Sequence, residues 1–171
     1  MRLLAVIGAL AIVVAIGAAV CFFGGFYSVA ATKEIAPVAW VLVQIRQASV
    51  DRHATEGPPM SLDDAAVVRT GAHDFATRGC INCHGAPGVK WAKFTEGMQP
   101  YPPDLKDIVN DREPRQLFWV IKNGIKMTAM PSFGAIGVPD QEIWSIVAFL
   151  KKLPTVSEED FKTWSASESQ H

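Results

Sequence analysis

Residues 3–27 run for 25 positions without a charged side chain and are rich in Ala, Val, Ile and Leu. This stretch limits the fold more than any other. In hydrocarbon a backbone has to satisfy its own N–H and C=O groups, which leaves a helix as the single-segment solution. As a helix, 25 residues rise roughly 37 Å, against a hydrocarbon core of about 30 Å. A cleavable export signal has an apolar region of only about 7–15 residues, so an uncleaved anchor is the expectation. Val29-Ala30-Ala31 is nevertheless an acceptable small-residue cleavage site. A lipoprotein reading through Cys21 fits less well, because bulky Val20 precedes it, and Cys21 reads as an apolar residue of the span. Arg2 is the only charge before the span, which places the N-terminus inside and the rest of the chain outside. The start is too poor in basic residues for a mitochondrial transit peptide. The expected location is a bacterial inner membrane crossed once, with the remaining domain in the periplasm.

The span accounts for the somewhat high hydrophobic content of 49%. Net charge is −1, so there is no global basic field and no expectation of a nucleic-acid partner. Four sections are expected: 1–30 anchor or signal, 31–60 juxtamembrane helix and linker, 61–154 folded domain, and 155–171 polar tail. In residues 36–54, Val38, Val41, Leu42 and Ile45 recur at helical spacing, and Glu56-Gly57-Pro58-Pro59 breaks the chain. That helix is expected to pack on its own domain or rest at the interface, with docking to a membrane partner as the alternative.

The next helix is expected to start at Ser61-Leu62-Asp63-Asp64, which approaches a capping box, and to bury Val68, Ala72 and Phe75. Residues 86–103 are rich in Gly and Pro and read as loop. A further helix starts at Pro114, carries Leu117, Phe118, Val120 and Ile121, and stops at Asn123-Gly124. The last begins near Pro139-Asp140, buries Ile143, Val147 and Leu150 beside Trp144, and ends before Pro154. Residues 155–171 read as a frayed tail. With no strand pattern and no repeat, the fold class is all-α.

Chemistry concentrates at Gly79-Cys80-Ile81-Asn82-Cys83-His84-Gly85. A structural zinc site wants four ligands, usually two pairs, whereas beyond this motif the chain has only His53, His73 and His171. A thioredoxin-like dithiol wants a strand before it, and the motif follows an amphipathic helix instead. C-x-x-C-H is the pattern of covalent haem attachment. Two thiols add across the vinyl groups of one porphyrin, and the adjacent imidazole reaches the iron. Cys80 and Cys83 are then the anchors and His84 the proximal ligand of one haem c.

A second axial ligand is needed, and Met130 lies 46 residues after His84, directly before Pro131. Proline biases the preceding residue towards extended backbone, which lets a long side chain project from a loop. Met127 is the fallback, Met98 is too close to His84 in sequence, and His53 is a bis-His alternative. His73 lies off its helix's apolar stripe.

Over residues 61–153 the chain resembles class I c-type cytochromes. The resemblance rests on the CINCHG motif, Pro102-Pro103-Asp104-Leu105, Lys122-Asn123-Gly124-Ile125-Lys126-Met127, Met130-Pro131-Ser132-Phe133-Gly134 and the closing helix. It implies a small helical domain around one covalent haem; the first 60 residues, with the expected N-terminal transmembrane helix, lie outside it. It also implies that the Pro103 carbonyl accepts the Nδ1 proton of His84, that Leu105 packs on the porphyrin, and that Gly71 and Phe75 meet Trp144, Phe149 and Leu150.

His/Met ligation fills both axial positions, which suits one-electron transfer and leaves no site for a small-molecule substrate. The expectation is an electron carrier and not an enzyme. Its partners are donor and acceptor redox proteins of a respiratory chain or dehydrogenase, in or at the membrane. Lys90, Lys93, Lys122 and Lys126 either steer such partners or are ordinary solvated residues. The alternatives are a fixed subunit of a larger membrane oxidoreductase and a haem-based sensor with a labile ligand.

Overall fold

The computed structural model describes residues 2–28, 30 and 35–166. Val29 and Ala31 of the candidate cleavage site lie outside the described residues, as does His171. The chain divides into two compact units, Met1–Lys33 and Glu34–His171.

The first unit is a single helix, α1 (Arg2–Phe23), none of whose residues is buried. It is long and apolar enough to cross a membrane, with a mean hydropathy of 2.9 in its best window. Among the described residues it is the one helix that meets this description.

The second unit is helical throughout, with no strand among the described residues. It contains α2 (Ala36–His53), α3 (Ala65–Thr77), α4 (Cys80–His84), α5 (Leu105–Ile108), α6 (Pro114–Asn123), α7 (Asp140–Lys152) and α8 (Glu158–Ala166). The centre is the packing of α3 on α7. An added Cβ on Gly71 would lie 1.8 Å from the Ser145 carbonyl oxygen, so the two backbones touch where α3 has no side chain. Phe75 packs on Phe149 at 5.3 Å between ring centroids. The resemblance implied that Gly71 and Phe75 would meet Trp144, Phe149 and Leu150. Phe75 does meet Phe149, the atoms nearest Gly71 are those of the Ser145–Ile146 backbone, and Trp144 stacks on Phe118 of α6 at 4.2 Å and 8°. With α3, α6 and α8 grouped around it, α7 is buried continuously from Glu142 to Leu150, far beyond one amphipathic stripe.

Arg78, just past the end of α3, donates to both carboxylate oxygens of Glu142 at 2.5 and 2.9 Å. The Glu142 hydrogen bond chiefly holds the Arg78 guanidinium above its usual range. This pair lets a buried glutamate sit among apolar residues without leaving its charge uncompensated.

Three elements differ from the sequence expectation. The cap of α3 is Asp64, whose side chain accepts from the Ala66 N–H at 2.7 Å, while Ser61 accepts from Asp63 N in the preceding turn. Within the loop of residues 86–103, Lys93–Gly97 form a short 3-10 helix over fully buried Thr95. Glu158–Ala166 is a helix where a tail was expected, and its Phe161, 2% exposed, stacks on Phe149 at 5.7 Å. Phe161→Ala is expected to cost about 3 kcal/mol, the usual scale for a buried aromatic, read as a lowered urea midpoint by far-UV circular dichroism. A change under about 0.5 kcal/mol, the range of exposed positions, would mean that α8 is not part of the core.

The second half of α2 belongs to this core. Val50 is buried, Gln47 accepts from Arg112, and Asp51 accepts from Gln116 at 2.6 Å. His53 stacks on Trp119 at 6.1 Å.

Candidate functional site

The cysteine motif occupies α4, a helix of five residues. Gly79, at φ 78°, turns the chain from α3 into it, a conformation that residues with a Cβ rarely adopt. After His84, Gly85 at φ 65° starts a tight turn in which Ala86 and Val89 exchange backbone hydrogen bonds, each 2.9 Å. The Ala92 N–H then donates to the Asn82 carbonyl at 2.8 Å and ties the following loop back to the motif. An added Cβ on Gly85 would approach the Val89 oxygen to 3.0 Å, so this return is as close as a glycine permits.

Cys80 and Cys83 are both unpaired and half-buried. Burial pushes the Cys80 thiol up to about 12. A reactive dithiol needs the opposite, a thiol shifted down towards neutral pH, so the environment of Cys80 opposes thiol–disulfide chemistry. Zinc fares no better. Among the described residues, no group of three or more His, Cys, Asp or Glu side chains is arranged to hold a metal ion.

His84 Nδ1 lies 2.9 Å from the Pro103 carbonyl oxygen, and since a carbonyl only accepts, Nδ1 carries the proton. Burial lowers the His84 pKa, against the opposing pull of that hydrogen bond and of Asp104. The ring is therefore held neutral with Nε2 as its free nitrogen, the form in which histidine ligates a metal. Leu105, at the start of α5, is buried in the central core.

The Met130 loop is clamped to the end of α6 on both sides of the methionine. Gly124 ends the helix at φ 68°, and its Cα passes so close to the loop that an added Cβ would meet Met130 O, Pro131 C and Ser132 N at 2.8–2.9 Å. The Ile125 N–H donates to Met130 O at 3.2 Å, and Met130 N–H donates to Thr128 Oγ1 at 3.1 Å. On the far side, Ser132 Oγ donates to Lys122 O at 2.7 Å and Phe133 N–H to Ile121 O at 3.1 Å. Met130 is partly buried against the core, at whose margin Cys80, Ile81 and Ala86 also pack. Met127 takes a left-handed conformation at φ 62° and is 78% exposed.

Other candidates separate from this group. His53 Nδ1 is engaged by the Ser49 carbonyl at 2.8 Å, and His73 sits beside Asp74 at 3.5 Å. Lys122 binds Asp140 at 2.8 Å and Glu56 at 3.3 Å, which hold its pKa up, and it lies over the Phe118 ring. Lys93 pairs with Glu96, so only Lys90 and Lys126 of the four lysines lack an ion pair among the described residues. Sequence reasoning missed Thr128, Ser132 and the Asn82 carbonyl. A hydroxyl two residues before Met130 was the available signal for Thr128, whereas a backbone carbonyl leaves none.

The residues fit a covalently attached porphyrin: two unpaired thiols and a neutral, pre-oriented imidazole on one short helix, with a thioether at the margin of the same core. Residues 66–150 match the family model described as cytochrome C oxidase, cbb3-type, subunit III. Searches of the curated proteins and of the solved structures returned no significant match. The matched stretch contains the cysteine motif, Pro103, Leu105 and Met130. Residues 66–150 are therefore a c-type cytochrome domain, a domain of the kind that carries covalently bound haem c and its iron.

Proposed function

We propose that this protein is a one-electron carrier tethered by α1 to the periplasmic face of a bacterial inner membrane, passing electrons between redox protein partners of a respiratory chain or dehydrogenase. In this reading residues 1–30 anchor the chain, 31–60 join the anchor to the haem domain, and 61–154 form that domain with α8 packed against it. Cys80 and Cys83 would hold the haem through thioether bonds, His84 and Met130 would ligate its iron, and Leu105 would pack on the porphyrin. When bound, the haem supplies a one-electron couple.

The chain's own residues set the conditions for that couple. Pro103 fixes the tautomer and orientation of His84 through the 2.9 Å hydrogen bond. The clamp on residues 128–133, made by the Thr128 and Ser132 hydroxyls and by backbone hydrogen bonds to α6, holds the Met130 backbone in place, so the thioether arrives pre-positioned. With both axial places filled by protein side chains, a substrate has no coordination site, and this supports a carrier over a catalyst. The observation that carries the reading is the contrast between the two methionines: Met130 lies partly buried beside the core that Cys80 borders, and Met127 is turned out.

A reductive titration of the haem-loaded, detergent-solubilised full chain is the test. A single one-electron wave, with a reduced form that does not take up carbon monoxide, is the expected result. Ready uptake of carbon monoxide would instead mean a labile ligand and a sensor. A fixed subunit of a membrane oxidoreductase is the second reading, favoured by the subunit description of the matching family and by the exposed apolar half of α2. Stoichiometric co-purification with catalytic subunits in mild detergent would select it, whereas elution of the chain alone would favour the free carrier.

A further inference from the structure

The two halves of α2 have opposite characters. From Arg46 onward the helix is joined to α6 by Asp51 on Gln116 and His53 on Trp119, and to the turn before α6 by Gln47 on Arg112, with Val50 buried. Residues 36–45 carry no charge, and Trp40, Val41, Leu42, Val43 and Ile45 are all exposed. Trp40 is 65% exposed and Ile45 59%, values unusual for large apolar side chains in a folded helix. Successive helical residues point about 100° apart, so the run from Trp40 to Val43 presents apolar surface in nearly every direction. A helix that is hydrophobic all round belongs inside a protein core or a membrane.

We propose that residues 36–45 are immersed in the bilayer surface and, being rigidly joined to α6, fix the orientation of the haem domain against the membrane. This rests on the proposed anchoring through α1. Five observations favour lipid as the occupant over a second copy or a partner subunit. A protein surface would cover one side of the helix and leave the others wet, whereas lipid surrounds it. Only residues 24–35 separate α1 from α2, and twelve residues reach at most about 40 Å even when fully extended. The uncharged stretch is bounded by Lys33 and Glu34 on one side and by Arg46 on the other, as suits a helix lying in the interface. It ends at Arg46, which has no ion pair among the described residues and stands where lipid phosphates would meet it. Trp40 is the residue type enriched at that boundary.

The immersion matters because the join to α6 transmits it. A haem domain swinging on a flexible linker meets partners in all orientations. One held through residues 36–45 presents a single face to partners embedded in the same membrane, which raises the fraction of productive encounters.

Spin labels on the haem-loaded full chain, in proteoliposomes of phosphatidylethanolamine and phosphatidylglycerol, test this. The background is Cys21→Ser, with a label at Leu42→Cys, Ile45→Cys, Ala48→Cys or Val13→Cys in turn. Oxygen concentrates in lipid and a nickel chelate stays in water. At positions 42 and 45, oxygen collisions are expected to exceed nickel collisions, with the order reversed at position 48. Free nickel access at 42 and 45 would overturn the proposal, and so would exclusion of both reagents, which would mean protein cover. The label at position 13 separates the two readings. If it reports lipid while 42 and 45 do not, the anchor stands and the immersion falls. If it reports water while 42 and 45 report lipid, the span falls and the immersion stands. In cells, a benzophenone side chain at position 42 is expected to give only lipid adducts. A defined protein adduct there would replace lipid with a subunit of a larger complex.

Discussion

Gly71→Ala should lower the stability of the haem domain by about 2–3 kcal/mol, although alanine is the better helix former. Two effects of opposite sign compete. Replacing a helical glycine by alanine contributes about 1 kcal/mol in favour of folding. Against it stands a Cβ that would lie 1.8 Å from the Ser145 carbonyl oxygen and 2.4 Å from its carbon. Overpacking of a dense core costs about 1–3 kcal/mol and more when nothing can give way. Here the obstacle is backbone in a helix buried from Glu142 to Leu150, so no rotamer change relieves it. To accommodate the methyl, α3 and α7 must separate, which also loosens the Phe75–Phe149 contact. Chemical denaturation of the haem-loaded protein measures the balance. A gain of about 1 kcal/mol, the bare propensity value, would show that the helices do not approach as closely as this.

Met130→Ala should abolish the low-spin His/Met spectrum, including the weak sulfur-to-iron band at the red end, and open the sixth position to carbon monoxide. Met127→Ala should leave both unchanged. The contrast follows from where the backbone puts each side chain. Met130 is held between Thr128 and Ser132 against the core, whereas Met127 turns into solvent from a left-handed residue. Absorption spectra of the two variants, before and after carbon monoxide, read this out directly. Loss of the band in Met127→Ala with retention in Met130→Ala would reverse the ligand assignment. Because Met130 lies at the margin of the core, truncating it also removes packing, and Met130→Leu separates the two effects. Leucine restores most of the volume but cannot bind iron, so Met130→Leu should regain stability and still lack the band.

Several features were legible from residue order because they depend only on local chemistry. Val68, Ala72 and Phe75 recur at helical spacing and are buried together on α3, and Gly124 stops α6 as a residue free to take positive φ. The anchor candidate is legible for the same reason, since length and absence of charge are one-dimensional properties. The tail was misread because Glu158, Glu159 and Asp160 make residues 155–171 look polar, and a single phenylalanine carries little periodic signal. What holds Glu158–Ala166 as a helix is its packing on α3, distant in sequence, together with the stacking of Phe161 on Phe149. The ion pairing of the lysines was not legible either. Lys122 reads as a free cation until Glu56 and Asp140 are brought to it.

Sequence by itself determined that two thiols and an imidazole stand together, because Cys80, Cys83 and His84 lie within five residues and their spacing survives any folding of the rest. It also determined that a long uncharged helix precedes the domain. Which methionine faces the core, which carbonyl orients His84, and which half of α2 is left apolar and uncovered were decided by tertiary structure. Each depends on contacts between segments apart in sequence, such as His84 with Pro103 and α2 with α6, or on the φ of a loop residue such as Met127. Proximity along the chain is written in the residue order, whereas proximity across it is settled when α3 and α7 close on Gly71.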